Sequence, residues 1–268
     1  MEREKLAFTS DKKDSLLLRL TDDFLFITRD RDKAVKFFRS MLNGYPEYGA
    51  TINPAKSLTN FDLNMPHLDI PILTGTAEFP YCGFTIHTTT LNVKRDLLKN
   101  PDQDIAGVQT VEYRYRPSES FTSKMLNHIP ILFNKLYGDS VLNSRITILI
   151  NIHRTFIDVA MRYAYYVRQL SKLGTRLSWL CMKDTIEQII DCLLSHARRL
   201  GSNVAWADVH GLGYAAFIMV LRRKQSNFRD ILPWLESMQQ KLRHSVREMV
   251  AKIAMDKQGR HIIAVKKY

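Results

Sequence analysis

Two aspartates stand side by side at positions 22 and 23, between the apolar runs Ser15–Leu20 and Phe24–Thr28. Thr21-Asp22-Asp23 reads as the tip of a β-hairpin that carries both acids. Adjacent carboxylates repel, and a divalent cation is the natural means of making such a pair tolerable. Mg2+ takes hard oxygen ligands and keeps coordination positions for substrate phosphates. A pair of this kind suits a two-metal nucleotidyl-transfer centre, in which one metal activates a 3′-hydroxyl and the other clamps the triphosphate leaving group. Turn chemistry alone also puts Asp at hairpin tips, because Asp tolerates turn conformations. The two residues by themselves leave both readings open.

The elements that must position the acids follow from periodicity. Asp30 to Asn43 reads as a helix, with Asp30 or Asp32 as its cap, Val35, Phe38, Met41 and Leu42 on one face, and Gly44 as its stop. Ala50–Ile52 and Ser57–Phe61 read as short strands around the Asn53-Pro54 turn, and Phe79–His87 with Thr90–Val93 as a second hairpin. Loop signals follow at Lys99-Asn100-Pro101-Asp102 and Arg116-Pro117-Ser118. From about residue 120 the apolar period becomes 3.6. Helices are predicted over Arg145–Leu170, with Arg154, Asp158, Arg162 and Arg168 off the apolar stripe, and over Thr185–Leu200. Two more are predicted over Val209–Arg223 and Asn227–Val250, the last with a break near Pro233. The fold class is therefore α+β: a small strand-and-helix part over residues 1–98, then an all-α bundle over 99–268.

Composition narrows the function classes. The chain has 268 residues, 45% of them hydrophobic, and a net charge of +12. Its three cysteines, Cys82, Cys181 and Cys192, are too scattered for a disulfide framework or a zinc site. The longest apolar stretch, Ile146 to Val167, is interrupted by His153, Arg154, Asp158 and Arg162, which argues against a membrane span. Residues 1–95 hold 13 Lys/Arg against 12 Asp/Glu, whereas residues 96–268 hold 26 against 15. Almost all the excess positive charge thus sits in the helical part, where a polyanion such as a nucleic acid is the simplest partner. A solvated basic surface is the plainer alternative.

The wider context of the acids resembles a known family. Leu16-Leu17-Leu18-Arg19-Leu20-Thr21-Asp22-Asp23-Phe24-Leu25-Phe26-Ile27-Thr28 resembles motif C of reverse transcriptases, in the form found in telomerase. Tyr45-Pro46-Glu47-Tyr48-Gly49 and the stretch from Asn53 through Lys56 to Phe61 look like motif D. Phe79-Pro80-Tyr81-Cys82-Gly83-Phe84 looks like motif E, the primer grip, with Tyr81 where Trp is more usual. Ser144–Leu170 and Tyr214–Asn227 are similar to helices of the telomerase thumb, and Met1–Leu6 resembles the stretch just after motif B. The resemblance covers essentially the whole chain, strongly over residues 15–95 and by pattern beyond.

The resemblance implies a partial reverse-transcriptase palm followed by the thumb, at the C-terminal end of a telomerase-type RNA-directed DNA polymerase. Asp22 and Asp23 would be catalytic and hold Mg2+, with the remaining carboxylate coming from an upstream segment. Lys56 would protonate or stabilise the departing pyrophosphate, a role that suits a mobile cation with a transferable proton. Tyr81, Cys82 and Gly83 would form the primer grip, where glycine allows close backbone approach. Ser123, Lys124 and Asn127 would open the first thumb helix and meet backbone phosphates, and Arg222 and Arg223 would touch template RNA. Tyr163, Tyr165 and Tyr166 read as packing residues rather than base-stacking platforms. The implied partners are telomerase RNA, single-stranded telomeric DNA, the RNA–DNA hybrid, dNTP, and upstream palm, fingers and RNA-binding domains, at telomeres in the nucleus. Alone, the chain is expected to be inactive, and its palm part less stable than its thumb. A retroelement reverse transcriptase and a non-catalytic RNA–DNA-binding module are the alternative readings.

Overall fold

The computed structural model describes residues 14–44, 47, 49, 51–65, 70–98, 105–107, 109–113, 115–266 and 268. The expected features at Met1–Leu6, Tyr45, Pro46, Tyr48, Ala50 and 99–102 lie outside these residues. The chain forms two compact units, Met1–Cys82 and Gly83–Tyr268.

In the first unit, β1 (Ser15–Leu20) and β2 (Asp23–Thr28) pair antiparallel from Ser15↔Thr28 to Leu20↔Asp23. Helix α1 (Arg31–Asn43) follows at once. The Asp30 carboxylate accepts from the Asp32 and Lys33 amides at 2.9 and 3.1 Å, satisfying two orphan donors of the first turn. Gly44, at φ +61°, ends the helix, and Phe37 of α1 stacks on Phe26 of β2 at 4.6 Å. The strands expected at Ala50–Ile52 and Ser57–Phe61 do not form among the described residues. Asn53 instead caps a 3-10 turn over Pro54–Lys56, and only Thr59 makes a bridge, parallel to Ile72. Proline gives no amide to a ladder, and here it starts a turn. Strand β3 (Glu78–Tyr81) closes the unit.

In the second unit, β4 (Phe84–His87) and β5 (Val93–Arg95) form an antiparallel hairpin. The Phe79–His87 run is therefore two strands, parted at Cys82-Gly83, where φ is +46° and +90°. The helices are α2 (Pro117–Leu132), α3 (Lys135–Gly138), α4 (Arg145–Lys172), α5 (Trp179–Arg199) and α6 (Trp206–Leu221), then α7 (Leu232–Gln240), α8 (His244–Ala254) and α9 (Lys257–Val265). Ser144 and Ser178 cap α4 and α5, and the Ser178 cap starts α5 six residues before the expected Thr185. The last predicted helix is broken twice, over residues 228–231 just before Pro233 as expected, and again at Lys241–Arg243. Pro233 sits in the first turn of α7, where a missing amide costs nothing.

Helix α4 is the axis of the bundle and is buried almost throughout. Phe121, Tyr163, Tyr166 and Phe217 are within 2% of full burial and pack ring to ring, Phe121 5.0 Å from Tyr163 and 5.3 Å from Tyr166. The Tyr163 and Tyr166 hydroxyls donate to the carbonyls of Met182 and Glu112 at 3.0 and 3.2 Å, so these tyrosines are core residues. Arg154 and Asp158, off the apolar stripe in sequence, are buried as well. Neighbours surround α4 along most of its length, and its buried charges Arg154 and Asp158 are paired. Arg154 grips Asp256 through Nε and Nη2 at 2.9 and 2.8 Å, and Asp158 lies between Arg95 and Arg162. Asn151 binds β5 from the same helix, donating to the Val93 carbonyl at 2.9 Å and accepting from the Arg95 amide at 3.0 Å. These bonds draw β4–β5 into the helical unit, so the contact boundary falls at Cys82–Gly83, while the sequence pattern changes near residue 98.

Candidate active site

The acid pair sits where the register of β1 and β2 puts it. Because Leu20 pairs with Asp23, the turn is the two residues Thr21 and Asp22, and Asp23 is the first residue of β2. Thr21 has φ +55°, the left-handed conformation that a primed hairpin turn requires at its first central position. Arg19 Nε holds the turn by donating to the Thr21 carbonyl at 2.8 Å. Both Asp22 and Asp23 are exposed.

Two groups from the far end of the first unit meet Asp23. The Tyr81 hydroxyl donates to the Asp23 carbonyl at 2.9 Å, and the Cys82 thiol lies 3.3 Å from Asp23 Oδ2 as its donor. Partial burial, then the neighbouring Cys82 and Asp23, push the Tyr81 phenol upward, so it remains a donor at neutral pH. The left-handed φ of Cys82, +46°, turns the chain so that consecutive side chains both reach Asp23. Residues 58 and 59 positions apart are thereby brought together. The sequence contains no signal for that pairing.

The other residues singled out in the sequence lie elsewhere. Lys56 is exposed at the end of the Pro54–Lys56 turn, with no hydrogen bond or ion pair to either acid among the described residues. Ser123, Lys124 and Asn127 do not open a helix: α2 starts at Pro117, so their backbone amides are inside it. Arg116 at φ +43° ends the preceding loop, and Pro117 begins the helix six residues ahead of Ser123. Lys124 Nζ donates to the Thr110 carbonyl and hydroxyl at 3.2 and 3.1 Å, and Asn127 reaches Ser123 Oγ at 3.5 Å. Arg222 pairs with Glu236 at 2.8 Å, whereas Arg223 donates to the Ala264 carbonyl at 3.5 Å.

The donor set suits a hard cation. Asp22 and Asp23 offer exposed carboxylate oxygens at a turn, and Mg2+ is commonly held by one or two carboxylates together with substrate phosphates. Among the described residues there is no group of three or more His, Cys, Asp or Glu that could hold a metal.

No protein-family model matches the chain. In fold, it is similar to the structure of telomerase from Candida albicans in complex with a TWJ fragment of telomeric RNA, with a TM-score of 0.54 and 17% identity over 88% of this chain and 31% of that one. In sequence, it is 32% identical over 172 residues to the telomerase reverse transcriptase of Mus musculus, which covers 63% of this chain and 15% of the mouse protein. It is 27% identical over 256 residues to that of Oryzias latipes, covering 89% of this chain and 23% of the fish protein. The Arabidopsis thaliana protein matches at 26% over 252 residues. In fold the chain is thus similar to a telomerase structure, and in sequence to the telomerase reverse transcriptases. It spans about 15% of the length of the mammalian relatives it matches.

Proposed function

We propose that this chain is the palm-end and thumb portion of an RNA-directed DNA polymerase of the telomerase type, which extends chromosome 3′ ends in the nucleus. The observation that carries this reading is the exposed Asp22–Asp23 pair on a two-residue turn, with Tyr81 and Cys82 fastened to Asp23. The carboxylates of Asp22 and Asp23 would hold Mg2+. When bound there, Mg2+ would supply Lewis-acid stabilisation of phosphoryl oxygens and an activated primer hydroxyl. A further carboxylate is proposed to join them from a segment beyond these residues, so the chain by itself is expected to be inactive.

The chain's own residues would orient and hold. Tyr81 fixes the backbone of Asp23, and Cys82 limits the rotation of its carboxylate. The Tyr81–Gly83 turn would present backbone to the primer strand, where the Gly83 φ of +90° excludes a side chain at little cost. Lys56, exposed, would deliver a proton to the leaving pyrophosphate. The basic helical unit would hold the RNA–DNA hybrid by its phosphates, largely without reading sequence. Telomerase RNA, the telomeric 3′ end and dNTP would be the partners and substrates.

Complementation tests this reading. The chain is joined to an upstream telomerase segment carrying motif A and the RNA-binding domain, with its RNA, and repeat addition is assayed with and without Asp22→Ala or Asp23→Ala. Each substitution is expected to lower activity by roughly 10³-fold, the scale of several kcal/mol of metal-held charge stabilisation. Undiminished activity in both variants would reduce the acids to turn residues. Primer extension by the 268 residues alone would contradict the need for a further carboxylate.

A further inference from the structure

The turn that carries the acids is held in a conformation its residues do not favour. φ is positive at Thr21 and not at Asp22, the signature of a type II′ turn, whose first central position glycine fills without strain. Thr21 is the one β-branched residue at positive φ among the described residues, and a β-branched side chain there crowds its own backbone. Among the described residues the Thr21 hydroxyl makes no hydrogen bond, so its own side chain does not offset that strain.

Arg19 supplies what the turn lacks. The register sets it directly opposite Phe24, one pair behind Leu20↔Asp23, so both side chains stand on one face of the hairpin. Its guanidinium carbon lies 5.1 Å from the centre of the Phe24 ring, and its Nε donates to the Thr21 carbonyl at 2.8 Å. The ring limits the swing of the guanidinium, and a charged donor makes the stronger kind of hydrogen bond. The carbonyl it holds belongs to the planar Thr21–Asp22 peptide, so the bond sets the plane from which Asp22 departs. Tyr81 grips the carbonyl of Asp23. Each acid thus has a backbone carbonyl beside it fixed by a side chain from outside the turn.

We propose that Arg19 is a positioning residue of the acid pair: it holds the strained Thr21–Asp22 peptide so that the Asp22 and Asp23 carboxylates are presented to the cation together. The proposal rests on the metal reading given above. Arg19 acts through the backbone of Thr21 and not by its charge on a substrate. A glycine at position 21 would therefore make the clamp dispensable, because glycine adopts the same φ without strain.

The test uses the joined protein of the complementation assay, carrying Arg19→Met, Arg19→Met/Thr21→Gly or, as a charge control, Arg39→Met at an exposed position of α1. Arg19→Met should lower kcat about tenfold and raise the Mg2+ concentration for half-maximal activity, with KM for dNTP within about twofold of wild type. The double variant should return to within about threefold of wild type, and Arg39→Met should match it. Hydrogen exchange reads the same device without turnover. In the 268-residue chain, amides of residues 20–24 should exchange about tenfold faster in Arg19→Met and recover in the double variant. A low kcat that Thr21→Gly fails to restore would overturn the clamp and assign the effect to lost charge. A raised KM for dNTP with kcat intact would overturn it in favour of substrate binding, and unchanged exchange at those amides would overturn it as well. Undiminished activity in Asp22→Ala and Asp23→Ala would overturn the metal reading and this proposal together.

Discussion

Asp23 and Asp158 are the same residue type in opposite circumstances. Asp158 lies on the central helix, 5% exposed, between the guanidinium groups of Arg95 and Arg162. Burial alone would raise its pKa, but the two arginines outweigh that and hold it at about 2. Its charge is fully used inside the protein. Asp23 stands exposed on a hairpin, where among the described residues a thiol meets its carboxylate and a phenol its backbone carbonyl. The contrast extends to the units that carry the two residues. Among the described residues only Leu25 and Leu63 are buried hydrophobics in the first unit, while Leu16, Leu18, Leu20 and Phe24 are 37–53% exposed. The helical unit buries dozens of apolar side chains. The part that would do chemistry is thinly held together, and the part that would hold the nucleic acid has a full core.

This contrast can be broken most directly by native-state hydrogen exchange. Amides of β1 and β2 are expected to be protected about 10³-fold less than those of α4, since local stability follows buried apolar contact. Comparable protection in the two would remove the distinction. Next in size is Arg154→Met, which would leave the half-buried Asp256 without its ion-pair partner. It should cost about 3–5 kcal/mol in urea unfolding, as is usual for breaking one side of a buried pair.

A pH titration comes third. His153 is fully buried, and among the described residues neither ring nitrogen has a hydrogen-bond partner. Burial, against a smaller opposing pull from Asp256, holds its pKa down at about 4, below the usual 6.5. Between those values the unfolded chain binds a proton that the folded chain refuses, so stability rises with pH across this window and falls on acidification from about 6.5 towards 4. The loss should be about 3 kcal/mol and should shrink in His153→Leu. An unchanged slope in that variant would assign the acid sensitivity to other groups. Tyr81→Phe, which removes one exposed hydrogen bond to the Asp23 carbonyl, should cost only about 0.5–1 kcal/mol. Smallest of all, Asp22→Ala should change stability by no more than about 0.5 kcal/mol, since its site lies in the open. A large destabilisation there would make Asp22 a structural turn residue and weaken its role at a metal.

Much of this was legible in the amino-acid order. The hairpin, α1 with its Asp30 cap, and the long axis helix from Arg145 follow from alternation, capping chemistry and 3.6-residue spacing, all of which act over a few residues. The core role of Tyr163 and Tyr166 was legible for the same reason. The strands at Ala50–Ile52 and Ser57–Phe61 were misread because Asn53-Pro54 prefers a capped turn and, among the described residues, no partner strand compensates. The start of α2 was also misplaced: a proline at residue 117 reads as a loop until its place in the first helical turn is known.

The sequence by itself determined where two acids would stand on a tight turn and that positive charge would gather in the helical part. Only the tertiary structure decided which charges are spent and which remain. Arg154 and Asp158 look like surface residues on a helical projection and become buried pairs because α9 and β5 close over them. Arg222 and Arg223 are neighbours in the chain, yet one is neutralised by Glu236 and the other faces an open cavity. Tyr81 and Cys82 find Asp23 across nearly sixty residues. Helix and turn preferences are local, whereas charge pairing depends on what folding brings within a few ångströms, and that distance is not written in any short stretch of sequence.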